Sequence, residues 1–247
     1  ASAVELMAEL KTPCEEELIE VGSRWLSYDF HSDISAMTKA EAIATMQKAI
    51  EIGNKALATA NYTIITLGTA WVYRLKSSGE VVANCHKQPH QNFSRELLSV
   101  ADVVEMLERI IKATQSHIIF TVSPVRHIGE GAEDNSLSKS ILRVAIAEVC
   151  SRYSKRTVYF PSYEIMMDEL RDYRFYADDM THPSRVGIDY IWQRFGEVAF
   201  SDNTKMLNER IERVVRAAEH RPFNPAGEEH KSFCRTQLEK IAQLEQE

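Results

Sequence analysis

The stretch HIIFTVSP, residues 117–124, decides the fold class of this chain. It is apolar and rich in β-branched residues over about six positions and ends at Ser-Pro, which is typical of a strand buried on both faces. Two more runs have the same character, NYTIITLG at 61–68 and RTVYFPS at 156–162. The sequence therefore predicts three central strands of one sheet.

Helical patterns separate these runs. Thr38 and Glu41 form a capping box before AIATMQKAIEIGNKALATA, Ser99 opens VADVVEMLERIIKATQ, and SKSILRVAIAEVCSRYSK supplies the next helix. The alternation predicts parallel strands joined by right-handed crossovers, which is an α/β fold with a three-layer, doubly wound, mostly parallel sheet of the flavodoxin-like kind. Such a sheet usually carries about five strands, so we expect strands beyond these three.

The remaining segments extend this core. WVYRLKSSGEVVANCHK predicts a hairpin that turns at Ser78-Gly79. Helices are predicted at 183–200, at 204–219 and over the charged carboxyl-terminal stretch. We divide the chain into an α/β domain, 1–200, and a helical extension packed on it, 201–247. The last helix either closes one side of the domain or mediates a homodimer.

Composition narrows the function classes. The 247 residues carry a net charge of −7, which argues against a nucleic acid or an anionic membrane as partner. Four cysteines without a CxxC pair suggest neither a zinc site nor a disulfide framework. No long apolar stretch predicts a membrane span or a secretory signal, so we expect a cytoplasmic protein. We expect no metal or organic cofactor, because the chemistry considered below runs on protein groups alone.

The stretch YADDMTHPS, residues 176–184, holds the strongest candidate for chemistry. Asp179 stands three residues before His182, a spacing that in a tight turn lets a carboxylate hold one ring nitrogen while the other accepts a proton. The competing interpretation is that Asp179 or Thr181 merely caps a helix beginning at Pro183. Sequence physics alone leaves both open.

Other candidates follow the predicted strands, because sites of open α/β sheets form at the carboxyl ends of the strands. The backbone N–H of Gly68 and the side-chain amide of Asn84 are candidate oxyanion donors, although each is also an ordinary turn former. Further candidates for substrate contacts are His31, Trp71, His86, Arg126 and His127. No pair among His31, His86, His127 and His182 has the helical i, i+4 spacing of a zinc site.

Several of these blocks together resemble a known family. IITLGTAWVYRLKSSGEVVANCHKQP, IIFTVSPVRH, NSLSK, YFPSYEIMMDELRDYRFYADDMTHPS and HRPFNPAGEEHKSF are similar to successive blocks of the bacterial GSCFA-domain family. That family groups with the SGNH/GDSL-type hydrolases. The Asp-Met-Thr-His run fits the Asp-x-x-His element of those enzymes, with His182 as base and Asp179 as its orienting acid. Gly68 and Asn84 resemble their oxyanion donors.

The resemblance also has a gap. The Gly-Ser-Cys-Phe-Ala motif that names the family does not occur in these residues. The resemblance places this motif, with its strand and its serine or cysteine nucleophile, upstream of Ala1. Ser23, Ser27, Ser32 and Ser35 are alternative nucleophiles without the strand-to-helix setting that a nucleophile needs.

Two functions stay open at this point. The first is an ester hydrolase that acts on an acyl or acetyl ester of a carbohydrate or small metabolite. The second is an inactive binding module of the same fold that recognises a carbohydrate or a partner protein. The intact Asp179 and His182 favour the enzyme, whereas the missing motif favours the module.

Overall fold

The computed structural model describes residues 2–129 and 131–246. The chain forms two units, one up to Ile188 and one from Asp189 onward. The division falls within the helix Arg185–Ala199, which is N-terminal to the boundary predicted at residue 200.

The first unit is a mixed α/β structure. In chain order it contains α1 (Ser2–Glu9), β1 (Leu18–Val21), β2 (Arg24–Ser27), α2 (Lys39–Thr59), β3 (Tyr62–Leu67), β4 (Trp71–Leu75), β5 (Val81–Val82), β6 (Phe93–Leu97), α3 (Val100–Ala113), β7 (His117–Val122), α4 (Ala132–Arg152), β8 (Thr157–Phe160) and α5 (Ser162–Glu164). A π-helical turn, Ile165–Leu170, continues α5 directly. The helix α6 (Arg185–Ala199) crosses into the second unit.

The predicted strands at 61–68, 117–124 and 156–162 are confirmed as β3, β7 and β8. They form a parallel sheet in the order β3-β7-β8. Both crossovers run in the same direction, so the strand order does not reverse within the described residues. The doubly wound arrangement, which requires such a reversal, therefore stays a prediction.

The core lies on one face of this sheet. Apolar side chains of β7 pack with those of α3 and α4 because each helix presents an apolar stripe at helical spacing. The fully buried members include Phe120, Ile118, Leu107, Ile111, Leu142 and Ile146. On the opposite face the register aligns Ile64, Ile119 and Val158, of which Ile64 and Val158 are exposed. A third layer is therefore not shown.

A second, antiparallel sheet has the order β5-β4-β6. The predicted hairpin turn is confirmed, since Gly79 has a φ of 76° and its N–H donates to the carbonyl of Leu75 at 2.7 Å. The strand β6 and the β1-β2 hairpin were not predicted from the sequence. Both are short and only partly buried, so they lack a continuous apolar run.

The second unit is helical, as predicted for the carboxyl-terminal segments. Besides the rest of α6 it contains α7 (Asp202–Glu219) and α8 (Glu228–Leu244). Ser201 caps α7 by accepting the N–H of Thr204 at 3.2 Å. Among the described residues no helix is long and apolar enough to cross a membrane.

Candidate functional site

Asp179 and His182 form a close pair within a tight turn. Oδ2 of Asp179 lies 2.6 Å from Nδ1 of His182. Oδ1 of Asp179 accepts the backbone N–H groups of Thr181 and His182, each at 2.9 Å. These hydrogen bonds hold the pKa of Asp179 well below its usual range. One carboxylate oxygen therefore builds the turn and the other orients the ring.

The backbone of this turn contains a strained residue. Met180 has a φ of 59°, a conformation that residues other than glycine adopt rarely. Its N–H donates to the carbonyl of Ala177 at 2.9 Å, and the N–H of Ala177 donates to the carbonyl of His182 at 2.8 Å. The strained turn brings Asp179 and His182 together at three-residue spacing.

Helix capping does not account for the pair. The helix α6 begins at Arg185 rather than at Pro183, and Oγ of Ser184 accepts the N–H of Gly187 at 3.3 Å. Ser184 is therefore the capping residue. The capping role considered for Asp179 or Thr181 is wrong, because both lie outside the first turn of α6.

The geometry fixes the tautomer of His182. A carboxylate accepts hydrogen bonds only, so Nδ1 of the neutral ring carries the proton and Nε2 is free to accept one. The side chain of His182 is 62% exposed, so a substrate or a protein nucleophile can reach it. The pair is thus arranged as the base and orienting acid of a proton-transfer site.

The loop after β7 joins this turn to the end of β3. The N–H of Arg126 donates to the carbonyl of Thr181 at 3.0 Å. The adjacent His127 lies against Gly68, and a Cβ at Gly68 would stand 3.3 Å from Nε2 of His127. Partial burial, together with the positive charges of Lys139 and His182, lowers the pKa of His127. The structure therefore brings Gly68, Arg126 and His127 to the Asp179 turn.

Lys139 of α4 was not singled out from the sequence. It is buried, and its Nζ donates to the carbonyls of Gly68 at 2.6 Å and Ser123 at 2.7 Å. Burial lowers the pKa of this amine to about 8. Lys139 thus ties together the carboxyl ends of β3 and β7. The sequence signal for it was a lysine three residues before Leu142, on the apolar stripe of the helix.

Trp71 lies next to this cluster. Oγ of Ser138 accepts the N–H of Ala70 at 2.7 Å, and Oγ1 of Thr69 accepts that of Trp71 at 3.1 Å. The guanidinium of Arg95 lies 3.6 Å from the centroid of the Trp71 ring. A partly exposed indole is thus fixed beside the turn that follows Gly68.

His86 belongs to a different environment. It is 5% exposed, with Nε2 at 2.8 Å from the carbonyl of Ser27 and Nδ1 at 3.1 Å from Oγ of Ser32. A carbonyl only accepts, so Nε2 carries the proton and Nδ1 accepts from the Ser32 hydroxyl. Both ring nitrogens are occupied. This favours a structural role for His86 over the predicted substrate contact.

Asn84 and His31 lie near His86 in sequence or in space. Oδ1 of Asn84 accepts the N–H of His86 at 2.8 Å, and its amide nitrogen faces Oγ of Ser32 at 3.4 Å. The ring of His31 is exposed and lies 3.3 Å from a carboxylate oxygen of Asp33. The contacts of the described residues connect neither side chain with Gly68 or His182.

Within the described residues, neither a groove of substantial volume nor a metal cluster marks the site. A groove of about 800 Å³, lined by residues of α1, β1 and β5, contains none of the predicted site residues. Within the described ranges no three His, Cys, Asp or Glu side chains are grouped to hold a metal ion.

Comparison with known proteins gives the family. The chain belongs to the GSCFA family, whose model matches residues 1–195. The model of the GSCFA domain protein C-terminal domain matches residues 211–247. No curated protein and no solved structure matches the chain.

Proposed function

We propose that this protein is a hydrolase of the SGNH type that acts on ester bonds. The observation that carries the proposal is the 2.6 Å contact between Oδ2 of Asp179 and Nδ1 of His182. The alternative explanation as a helix cap is removed, because Ser184 has that role. An exposed imidazole held by an ionised carboxylate fits general base catalysis.

The proposed reaction has two steps. Nε2 of His182 takes the proton of a serine or cysteine nucleophile as its oxygen or sulfur attacks the ester carbonyl carbon. Asp179 stabilises the imidazolium, which then protonates the departing alkoxide. Water, activated by the same ring, releases the acid from the acyl-enzyme. The serine or cysteine nucleophile of this proposal is the one that the family resemblance implies.

The tetrahedral intermediates need donors for their oxyanion. We assign this role to the N–H of Gly68 and, on the family resemblance alone, to the amide of Asn84, which contacts Ser32 rather than Gly68 in the structure. Lys139 holds the carbonyl of Gly68 at 2.6 Å and thereby fixes the backbone there. A Cβ at Gly68 would stand only 3.3 Å from Nε2 of His127, so glycine avoids a crowded contact at this position. The substrate in this proposal is an acyl or acetyl ester of a carbohydrate or small metabolite, in the cytoplasm.

A non-catalytic binding module is the second candidate. The observation in its favour is that no serine, threonine or cysteine of the described residues hydrogen-bonds to Nε2 of His182. In that case the same rim, with Trp71, Arg126 and His127, would hold a carbohydrate or a partner protein without turnover. Dimerisation through α8 is a separate prediction under either function.

Hydrolysis of p-nitrophenyl acetate by the full-length protein separates the two candidates. We expect turnover that falls by about a thousandfold or more in His182→Ala, the usual loss when the base of such a site is removed. His90→Ala, an exposed histidine outside the site, is the control and should keep the wild-type rate. A folded protein inactive on acetyl, longer acyl and sugar esters supports the binding module, and full activity of His182→Ala excludes our mechanism.

A further inference from the structure

A small cavity lies next to the Asp179 turn. It has a volume of about 80 Å³, and its walls include Arg126, Arg171, Met166, Met167, Tyr173 and Tyr176. The space accommodates a group of a few atoms. Met166 and Tyr176 are buried, so the inner wall is apolar, whereas the two arginines bring positive charge.

Arg126 is prepared for an anion. Its Cζ lies 4.0 Å from the ring centroid of Tyr176 and 5.3 Å from that of Tyr173. Among the described residues no carboxylate forms an ion pair with Arg126. A guanidinium that lies over a ring keeps its in-plane N–H donors available for a second partner. The partly buried charge of Arg126 is therefore held by aromatic faces and left without an anion.

The second arginine reaches the cavity through an unusual backbone. The turn Ile165–Leu170 is π-helical, and the N–H of Arg171 closes it by donating to the carbonyl of Met166 at 3.2 Å. Arg171 has a φ of 50°, and both features are concentrated at functional sites in proteins.

Among the described residues that line the cavity, Asp172 is the one carboxylate, and it is already engaged. Oδ2 of Asp172 lies 3.2 Å from a guanidinium nitrogen of Arg174, and Oδ1 accepts the N–H of Arg174 at 2.9 Å. Asp172 therefore does not neutralise Arg126. The cavity keeps an excess of positive charge.

The cavity is connected with the catalytic turn through the backbone. Arg126 donates its N–H to Thr181, between Asp179 and His182. Tyr176 pairs with Pro183 in an isolated bridge directly after His182. A group bound by Arg126 is thus anchored beside the residues that carry the proposed chemistry.

We propose that this cavity binds a carboxylate of the substrate, so that the ester cleaved at His182 carries a free carboxylate on its acyl or alcohol part. The statement that the substrate is an ester rests on the proposed function, whereas the anion site itself does not. The planar fork of Arg126 matches a carboxylate in two parallel hydrogen bonds.

Calorimetric titration of the full-length protein tests the proposal. All titrations use the His182→Ala background, so that no ester is consumed. The probes are monomethyl glutarate, which has one carboxylate and one ester, the neutral dimethyl glutarate, and methyl phosphate. We expect monomethyl glutarate to bind, and Arg126→Gln to weaken it by at least about tenfold, as for the loss of a hydrogen-bonded charge.

Two further variants and the neutral diester serve as controls for the effect of Arg126→Gln. Arg126→Lys should retain part of the affinity, and Arg152→Gln, an arginine that contacts Glu108 at the far end of α4, should retain all of it. Dimethyl glutarate should bind weakly and be insensitive to Arg126→Gln. Circular dichroism checks folding, and Arg171→Gln replaces Arg126→Gln if the latter unfolds.

Three results would overturn the carboxylate site: equal affinity of Arg126→Gln and its parent, equal affinity for the neutral diester, or tighter binding of methyl phosphate. The outcome is independent of catalysis. Binding that depends on Arg126 without ester turnover by the wild type retains the site and removes the hydrolase. Ester turnover by the wild type without any preference for a carboxylate retains the hydrolase and removes the carboxylate site.

Discussion

The surroundings of His182 and His86 show two uses of the same side chain. His182 is mostly exposed and is held at Nδ1 by a carboxylate, which leaves Nε2 available. His86 is buried, and its two nitrogens contact a carbonyl and a hydroxyl of the same protein. The comparison teaches that a histidine ring held in place by hydrogen bonds is not, for that reason alone, a catalytic residue. What distinguishes the candidate base is an ionised partner on one nitrogen and access to the other.

The two regions also differ in how the chain builds them. The Asp179 turn arises from local hydrogen bonds within four residues, next to the carboxyl ends of β3 and β7. The surroundings of His86 join segments more than fifty residues apart in sequence. A local motif can be found in a sequence, whereas a pairing of that separation can be seen only in the folded chain.

Of the substitutions that test this comparison, Asp179→Asn should produce the largest effect, and the effect should be on the rate of ester hydrolysis. The asparagine side chain would still accept the backbone N–H groups of the turn, but its neutral amide would no longer stabilise an imidazolium at His182. We expect the rate of ester hydrolysis to fall by about a hundredfold to ten thousandfold with little change in thermal unfolding. Steady-state kinetics with p-nitrophenyl acetate measures the loss. A rate within twofold of the wild type would show that the carboxylate does not orient a base.

Lys139 should make the rim near Gly68 sensitive to pH. Its pKa is about 8 in the folded protein, against 10.5 for a lysine side chain exposed to water. Between these values the unfolded chain holds a proton that the folded protein has lost, so the stability contributed by Lys139 rises with pH across the window. The free energy of unfolding of the wild type, relative to Lys139→Met, should increase by up to about 3 kcal/mol.

Chemical denaturation of both proteins at several pH values measures this difference. Below about pH 8 the lysine is protonated in both states and the difference should be constant and lowest. Other titrating groups cancel between the two proteins in this window, because His127, whose pKa Lys139 helps to lower, titrates below it. A difference that stays flat or falls between about pH 8 and 10.5 contradicts a buried, deprotonating Lys139.

The smallest effect is expected at His86, and it should concern stability. His86→Ala removes two hydrogen bonds and leaves the carbonyl of Ser27 without its partner in a buried place, which should cost about 2 kcal/mol of unfolding free energy. Urea denaturation measures it. The matched substitution His182→Ala should leave the unfolding midpoint unchanged. If His86→Ala abolishes ester hydrolysis while keeping full stability, the assignment of roles to the two histidines is reversed.

Much of the fold could be predicted because the signals were local. The strands β3, β7 and β8 were found as continuous apolar runs. The capping residue Thr38 was found from its spacing to Glu41, and Ser99 was found as the residue that opens the next helix. The strand β6 was missed because FSREL mixes charged and apolar residues and so has no continuous apolar run. Its antiparallel pairing with β4 stabilises it as a strand. Long-range pairing decides such strands.

The site was predictable in part for the same reason. Asp179 and His182 were found because their geometry lies within one turn. Lys139 was not singled out, because its partners Gly68 and Ser123 are distant in sequence and meet it only when α4 packs on the sheet. The cation–aromatic cluster of Arg126 with Tyr176 likewise needs two loops brought together by the fold.

The tautomers of the two histidine rings test the central claim most directly. Nitrogen-15 NMR distinguishes a protonated from an unprotonated ring nitrogen, and both residues can be assigned in one experiment with His86→Ala and His182→Ala as references. We predict that the neutral ring of His182 carries its proton on Nδ1 and that of His86 on Nε2, because a carboxylate and a carbonyl accept at those atoms. A neutral His182 protonated on Nε2 would contradict the account, since that nitrogen could not then accept the proton of a nucleophile.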